Sequence, residues 1–448
     1  MLPFFLRAQG NWKAKPMRDG SKQPKTALSQ AKAPAPIPPF QKGLGFMTTE
    51  LSSAQIASLG WNLLREDLSL PAAVLYAEKL NHNLAWMQRF ADRHAAVLAP
   101  HGKTTMAPKL FSMQLAAGAW GITLATAPQV AAAYRHGVRR ILMANQLVGK
   151  QNMAIVDALL DDPGFEFFCL VDSAVNVEQL GRFFRSSAKK VQVLLEIGLE
   201  GGRTGVRNAE QLQELLHTLS GWRGQVLLCG VEIYEGVSED ERAILGLLQR
   251  AREIAGELAR RDLFQRTPFL LSGAGSAWYD LVAEVFCAAD LKDSAQVVLR
   301  PGCYLTHDAG SYAAAQARIL ASNSVARQMG GSLQQALQLW AYVQSVPEPE
   351  RAIVALGKRD ASFDSGLPKP ALHLSTAAGK LQDAPTCWRL TRMMDQHAYL
   401  EIKAGDPIAV GDMIGFDICH PCLTFDKWRY LPLLDRHYQV IDVIQTCF

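Results

Sequence analysis

Ala95-Ala-Val-Leu-Ala-Pro-His-Gly-Lys-Thr-Thr-Met-Ala-Pro108 decides the reading of this chain. A short apolar run, the length of a buried strand, feeds a polar turn, and a proline then opens the helical pattern Pro108–Ala117. The turn carries Lys103, with His101 two positions before it. A lysine just past a buried strand is ordinarily a solvated loop charge. It is also the side chain that condenses with carbonyl compounds once burial or a neighbouring cation lowers its pKa.

The same strand-then-helix unit recurs on both sides of this stretch. β-rich apolar runs lie at Ala72–Ala77, Ala96–Pro100, Gly121–Ala125, Ile141–Ala144, Phe165–Val171, Val191–Ile197, Val226–Ile233, Phe269–Ser272 and Val297–Arg300. Amphipathic segments such as Ala127–Arg135, Asn176–Phe184, Ala209–Leu219 and Glu239–Arg260 separate them. Alternation at this spacing predicts βα units with parallel pairing. Eight such strands, counted from Ala96, predict a closed (β/α)8 barrel. The open doubly wound sheet looks alike locally, but no G-x-G-x-x-G turn follows the first strand. Beyond Gly302 the segments Ala313–Ser324, Gln338–Val346, Arg351–Ala355, Ala371–Ser375, Cys387–Met393, Tyr399–Ile402, Met413–Asp417 and Tyr438–Ile444 read as short strands. Residues 303–448 are therefore expected to form a C-terminal β domain behind a barrel of residues 47–302. The run Ala72–Ala77 lies outside the eight and is free to join the β domain's sheet.

Barrel chemistry sits at the carboxyl ends of the strands. Lys103 follows the first, Arg203 the fifth, Tyr234 the sixth, Ser272-Gly-Ala-Gly-Ser276 the seventh and Arg300 the eighth. Two glycines in one turn can aim successive backbone N–H groups at a phosphate. No Lys-Ser/Thr follows, so this is not a nucleotide P-loop. A lysine and a phosphate nest at one barrel end point to pyridoxal 5'-phosphate (PLP), which enzymes hold through a lysine.

Near the other end stands Cys419-His-Pro-Cys422. On an extended backbone His420 and Cys422 leave one face and Cys419 the other. Imidazole with thiolate suits zinc, and two ligands leave positions open for water or substrate. The C-x-x-C spacing also admits a redox couple, although no thioredoxin-like βαβ pattern surrounds it.

Whole-chain properties bound the reading. The 448 residues are 49% hydrophobic and 20% charged, with a formal charge of +4. That balance fits two globular domains, and no basic stripe interleaved with aromatics points to nucleic acid. No apolar run reaches the length of a membrane span. Eight cysteines without framework spacing imply reduced thiols and a cytoplasmic setting. Residues 1–46 carry many Lys and Arg, one acid (Asp19) and the Pro/Ala run Ala31–Pro39. They show no helical or strand period and are expected to be a disordered extension dispensable for catalysis. Their basic bias also resembles a transit peptide, and Met47 offers an alternative start.

These motifs in this order resemble the D-threonine aldolase and D-serine dehydratase family, PLP enzymes with the alanine-racemase barrel. The resemblance runs from about Met47 to Phe448. It is carried by His101-Gly-Lys-Thr104, Gln114–Ile122, Asn145–Gly149, Gly202-Arg-Thr-Gly205, Ser272–Ser276, Arg300-Pro-Gly302, Asp364–Pro368, Gln396-His397 and His420-Pro-Cys422. It implies Lys103 as the Schiff-base lysine and catalytic base, and Ser272, Gly273, Ala274, Gly275 and Ser276 around the PLP phosphate. It also implies Tyr234 at the pyridine ring, Arg203 near the phenolic oxygen, and His420 and Cys422 on a divalent metal, zinc by the thiolate. Gly102 departs from the commoner alanine before the lysine. The implied activity is a zinc-assisted dehydratase or ammonia-lyase acting on a D-3-hydroxy amino acid such as D-serine, in a homodimer. The alternatives are retro-aldol cleavage to glycine and an aldehyde, and a non-catalytic PLP-binding protein. A racemase would want a second base, which the sequence does not offer. His101, His307 and His397 receive no role.

Overall fold

The computed structural model describes residues 35–291 and 293–448. Its first unit is an eight-stranded parallel barrel: β2 (Val97–Leu98), β3 (Ile122–Leu124), β4 (Arg140–Gln146), β5 (Glu166–Val171), β6 (Val191–Ile197), β7 (Val226–Ile233), β8 (Phe269–Gly273) and β9 (Ala295–Leu299). Neighbours pair in chain order from β3 to β9, and β9 pairs with β2. The ring closes between β2 and β3 through the His101–Thr123 bridge and the bonds Trp120 N–H to Leu98 O (2.7 Å) and Thr123 N–H to Pro100 O (2.9 Å). Side chains fill the interior, including Leu142, Phe168, Leu170, Leu194, Leu270 and Val298. The strands read as continuous apolar runs because both faces are covered.

β1 (Ala72–Tyr76) stays out of the barrel. It pairs antiparallel with β10 (Leu337–Glu348) and parallel with β17 (Tyr430–Leu434). Thus the first strand among the described residues lies inside the second unit's sheet. That sheet runs β13 (Lys380–Asp383), β12 (Lys369–Ser375), β16 (Met413–Asp417), β10, β1, β17, β18 (Val440–Gln445). A branch of β11 (Arg351–Val354), β15 (Ala398–Glu401) and β14 (Arg389–Met393) leaves β10.

Two expectations change. Residues Ala313–Ser324, read as a strand, form the helix Ser311–Ser322, and a second helix, Ser324–Met329, follows. They complete the eighth βα unit: Arg318 pairs with Asp280 at 2.7 Å, and Tyr279 donates to Gln316 at 2.6 Å. The barrel unit therefore runs past Gly302, and the β domain begins near Ala336. The misreading came from small apolar residues, which leave no clear period and fit either element.

The second change concerns residues 1–46. Residues 1–34 lie outside the described part. Residues 37–46 are packed rather than loose. Ile37 and Leu51 exchange backbone bonds of 2.7 and 3.1 Å, and Ile37 and Leu44 are buried. Lys42 meets Asp360 at 2.6 Å and lies 3.8 Å over the Trp428 ring. A strap this short needs no period of its own, since one or two apolar side chains anchor it to a sheet formed elsewhere.

Candidate active site

Lys103 sits in a 3-10 turn, Gly102–Thr104, directly past β2, and its side chain opens to solvent at the barrel mouth. Partial burial of its ammonium lowers the pKa, as do Arg203 and Arg300, while Cys422 and Cys303 pull it up. Gly102 has a packing reason. A Cβ there would stand 2.7 Å from Phe111 Cε1 and 2.9 Å from Ile122 Cγ2. His101 is turned inward, with Nδ1 buried and unpartnered, and burial holds the imidazole neutral well below its usual range.

Across the mouth, the Arg203 guanidinium lies 4.6 Å from the centre of the Tyr234 ring. Burial, then Glu235, pushes the Tyr234 phenol up. Arg300 is buried inside the barrel. It donates to Ser272 Oγ (2.9 Å), to Ile233 O (2.9 Å) and to Glu232. Burial of Glu232 pushes its carboxyl up to about 8 despite that arginine.

The expected phosphate turn is not free as drawn from sequence. Ser272 and Gly273 belong to β8, and the Ser272 hydroxyl is spent on Arg300 and Val298 O (3.2 Å). The Ala274 and Gly275 amides both donate to the buried Glu235 carboxylate, at 3.2 and 2.5 Å. Ser276 faces the neighbouring turn after β9 instead. Its Oγ accepts from the Gly302 and Cys303 amides at 3.2 and 3.0 Å. A Cβ on Gly302 would stand 2.5 Å from Thr104 Oγ1 and 2.9 Å from His101 O. This second pair of amides escaped the sequence reading, because Arg-Pro-Gly-Cys has one glycine and no nest-like repeat.

The β domain supplies the other wall. The loop after β16 packs on the start of the last barrel helix, where Ala309 N–H donates to Ile418 O at 2.8 Å. His420-Pro-Cys422 is not extended. Pro421 is helical (φ −58°, ψ −43°), and Cys422 opens the short helix Cys422–Phe425. The turn still brings the His420 ring and Cys422 sulfur into hydrogen-bond contact. Cys419 points away and donates to Leu367 O at 3.2 Å. Asp364 accepts from His420 Nδ1 at 2.7 Å, which orients the ring. Hydrogen bonds to Cys422, and to a lesser extent Asp364, push the imidazole up to about 9.

Cys422 Sγ lies 3.5 Å from Thr104 Oγ1 and 3.6 Å from Cys303 Sγ. The Cys303 contact, and then His420, bring the Cys422 thiol down to about 4. Cys303 had no signal in the sequence, where its only neighbours in line are Gly302 and Tyr304. Asp308, also unassigned from sequence, caps the last barrel helix through Gly310 and Ala313 amides at 3.0 Å each. Burial pushes its carboxyl up to about 6. His307 is buried beside it, and burial lowers its imidazole to about 4. His397 is exposed in the β14–β15 turn, where its carbonyl accepts from Met394. Among the described residues, no three His, Cys, Asp or Glu side chains already surround a common metal position.

Residues 76–306 match the family described as "Alanine racemase, N-terminal domain". The chain belongs to that family. Residues 336–434 also match the "Putative serine dehydratase domain". Among curated relatives, a D-threonine aldolase of an Arthrobacter species is 27% identical over 308 residues, 66% of this chain and 74% of that protein. The D-threo-3-hydroxyaspartate dehydratase of Delftia sp. strain HT23 is 31% identical over 140 residues, 31% of this chain and 36% of the relative. The crystal structure of D-threonine aldolase from Filomicrobium marinum superposes with a TM-score of 0.71 at 22% identity, covering 86% of this chain and 97% of that one. This is the alanine-racemase fold, a barrel followed by a β domain, in a family of PLP enzymes.

Proposed function

We propose that the protein is a PLP-dependent lyase for D-3-hydroxy amino acids, assisted by a divalent metal, with dehydration and deamination as its reaction. One observation carries the reading. The fold brings Cys422 to 3.5 Å from Thr104, the residue after Lys103, so a metal-type pair and an amine of lowered pKa share one mouth. The relatives named as an aldolase and as a dehydratase both act on such amino acids by name.

The residues present fit both groups. Lys103 would hold the cofactor through its amine. The Gly302 and Cys303 amides with the Ser276 hydroxyl would offer donors to its phosphate, in a turn packed so closely on Thr104 and His101 that position 302 admits no side chain. Arg203 and Tyr234, stacked on each other across the mouth, would help hold the cofactor's ring. His420 and Cys422 would hold the metal, zinc by the thiolate. A cysteine-to-alanine variant of the dehydratase is described as metal-free. The chemistry that bound PLP supplies is an electron sink for the charge left at Cα. The chemistry that a bound divalent ion supplies is Lewis acidity toward the β-hydroxyl.

The chain does the rest. Lys103, with its ammonium destabilised by burial and two arginines, accepts the α-proton and passes it to the departing hydroxide, which leaves as water. Asp364 orients the ring of His420. Thr104 and Cys303 hold the Cys422 sulfur toward the mouth. Arg300, held by Glu232, Ser272 and Ile233 O, keeps a fixed positive charge below the site. Loss of the hydroxyl with the α-proton, followed by hydrolysis, gives a 2-oxo acid and ammonia, so D-serine would give pyruvate.

A second reading rests on the longer match to the D-threonine aldolase: the same metal could aid removal of the hydroxyl proton, cleaving Cα–Cβ to glycine and an aldehyde. Assay of D-threonine separates the two. Dehydration gives 2-oxobutyrate and ammonia; acetaldehyde with glycine would overturn it. Borohydride should fix the cofactor on Lys103, and a label on another lysine would sink the site assignment. Chelation should abolish turnover while the yellow holoprotein stays folded. We also propose a homodimer. The exposed apolar residues Phe363 and Leu423 lie next in line to Asp364 and Cys422, and exposed Val237 lies three positions past Tyr234, at the mouth a second copy would complete. An active monomer by sedimentation would refute it. No helix among the described residues is long and apolar enough to cross a membrane; the cytoplasmic setting remains a proposal from the reduced thiols.

A further inference from the structure

The C-x-x-C spacing of Cys419 and Cys422 suggests a local redox pair, and the structure breaks that pair. Cys419 is buried with its sulfur on Leu367 O. The sulfur that faces Cys422 comes from the other unit, 119 residues away. Cys303 Sγ stands 3.6 Å from Cys422 Sγ, van der Waals contact for two sulfurs. Cys303 begins the turn after β9 and is 3% exposed, while Cys422 is partly open to the mouth. Every cysteine of the chain is a free thiol. Among the described residues this is the only thiol–thiol contact the hydrogen-bond geometry contains.

We propose that Cys303 and Cys422 form a modification site: a reversible disulfide made by hydrogen peroxide, which clips the barrel's eighth loop to the β domain and removes Cys422 from the metal. The balance is complete. The more open sulfur, Cys422, attacks one peroxide oxygen, the O–O bond breaks, and water leaves with a sulfenic acid in place of the thiol. Cys303 then attacks that sulfur, the S–O bond breaks, and a second water leaves. Two thiols give one disulfide, and the two electrons reside on the peroxide oxygens, now water. The geometry favours this end state over further oxidation. The resolving thiol is already in contact, and closing from 3.6 Å to a bond of about 2.05 Å needs only a small shift of the Cys422 turn. Cys303 thereby protects Cys422 from sulfinic acid, and a reductant restores both. Formation of the bond is independent of the proposed function; only its effect on turnover rests on that reading.

The test uses the full chain, as purified, with a small molar excess of hydrogen peroxide. Thiols are counted in denaturant and peptides read by mass spectrometry. The eight thiols of the chain should fall by two. One linked peptide joining Cys303 to Cys422, two hydrogens lighter than the thiols, should appear, and dithiothreitol should return it to both. With zinc loaded beforehand, metal release should track the linked fraction. Cys419→Ser should leave the link in place. Cys303→Ser should give irreversible sulfinic acid on Cys422 instead. A Cys419–Cys422 link, sulfinic acid on Cys422 in the unaltered chain, or full recovery of Cys303→Ser with dithiothreitol would each overturn the proposal. If the link forms and turnover is unchanged, the disulfide stands and the metal role proposed for Cys422 falls.

Discussion

Two turns stand side by side at the barrel mouth, after β8 and after β9, and each aims two successive amides at one oxygen group. After β8, Ala274 and Gly275 are answered by the Glu235 carboxylate, fully buried. After β9, Gly302 and Cys303 are answered by the Ser276 hydroxyl. The difference decides which turn can take a phosphate. A buried carboxylate is an anion of the chain's own, and it repels a second one at that distance. A hydroxyl is neutral and rotates, so it can turn to donate to a phosphate oxygen alongside the two amides. The glycine-rich turn is thus a structural anchor between β7 and β8. The less conspicuous one is the turn we propose for the anion.

The comparison breaks most readily at Gly302. Gly302→Ala drives a methyl against Thr104 and the rigid His101 carbonyl. PLP affinity, read by absorbance titration, should fall about 100-fold, some 3 kcal/mol. Unchanged affinity would return the phosphate to the β8 turn. Glu235→Ala orphans two amides, at about 1–3 kcal/mol each. The melting temperature should drop by several degrees while PLP affinity changes little; the reverse pattern would exchange the roles of the two turns. Ser276→Ala sharpens the contrast, with an expected loss of PLP affinity of roughly 3- to 10-fold, near 1 kcal/mol, and little change in melting.

The smallest effect concerns pH. Burial raises the Glu235 carboxyl above its ordinary range despite its backbone bonds. Between the ordinary glutamate range and that raised value, the folded chain keeps a proton the unfolded chain has lost. Stability therefore falls as pH rises through that window. Glu235→Gln lacks the proton exchange, so its melting temperature should be flatter across the same range. An equally steep decline would mean that Glu235 is ionised throughout and the contrast between the turns rests on charge alone.

Much of the fold was legible because its signal is local. Each barrel strand is a short apolar run between polar turns, and each strand end carries its own chemistry within a few residues, as with Val97–Leu98 and Lys103. What failed locally had no period to read. The Ala-rich helix Ser311–Ser322 passed for a strand, and the strap at 37–46 passed for an unpacked tail. The site divided the same way. Strand-end position put Lys103, Arg203 and Tyr234 at the barrel mouth, where the structure has them, and ligand type with the resemblance singled out His420 and Cys422, which the structure sets side by side. Cys303, Asp364 as the partner of His420, and Glu235 as the occupant of a nest were not found in these roles. Each acts on a residue far from it in the chain or turns an expected ligand group inward.

By itself, the sequence determined the class of architecture and the inventory of reactive groups. Apolar periodicity dictates strands and helices, and a lysine, a histidine and a thiol keep their chemistry in any fold. Only the tertiary structure decided who faces whom. It placed β1 in the sheet of the distant β domain and set Cys422 against Thr104 and Cys303 rather than beside Cys419. It also gave the glycine-rich turn to Glu235. Contacts of that kind depend on side-chain direction across separate elements, and direction is set by packing, which no spacing along the chain encodes.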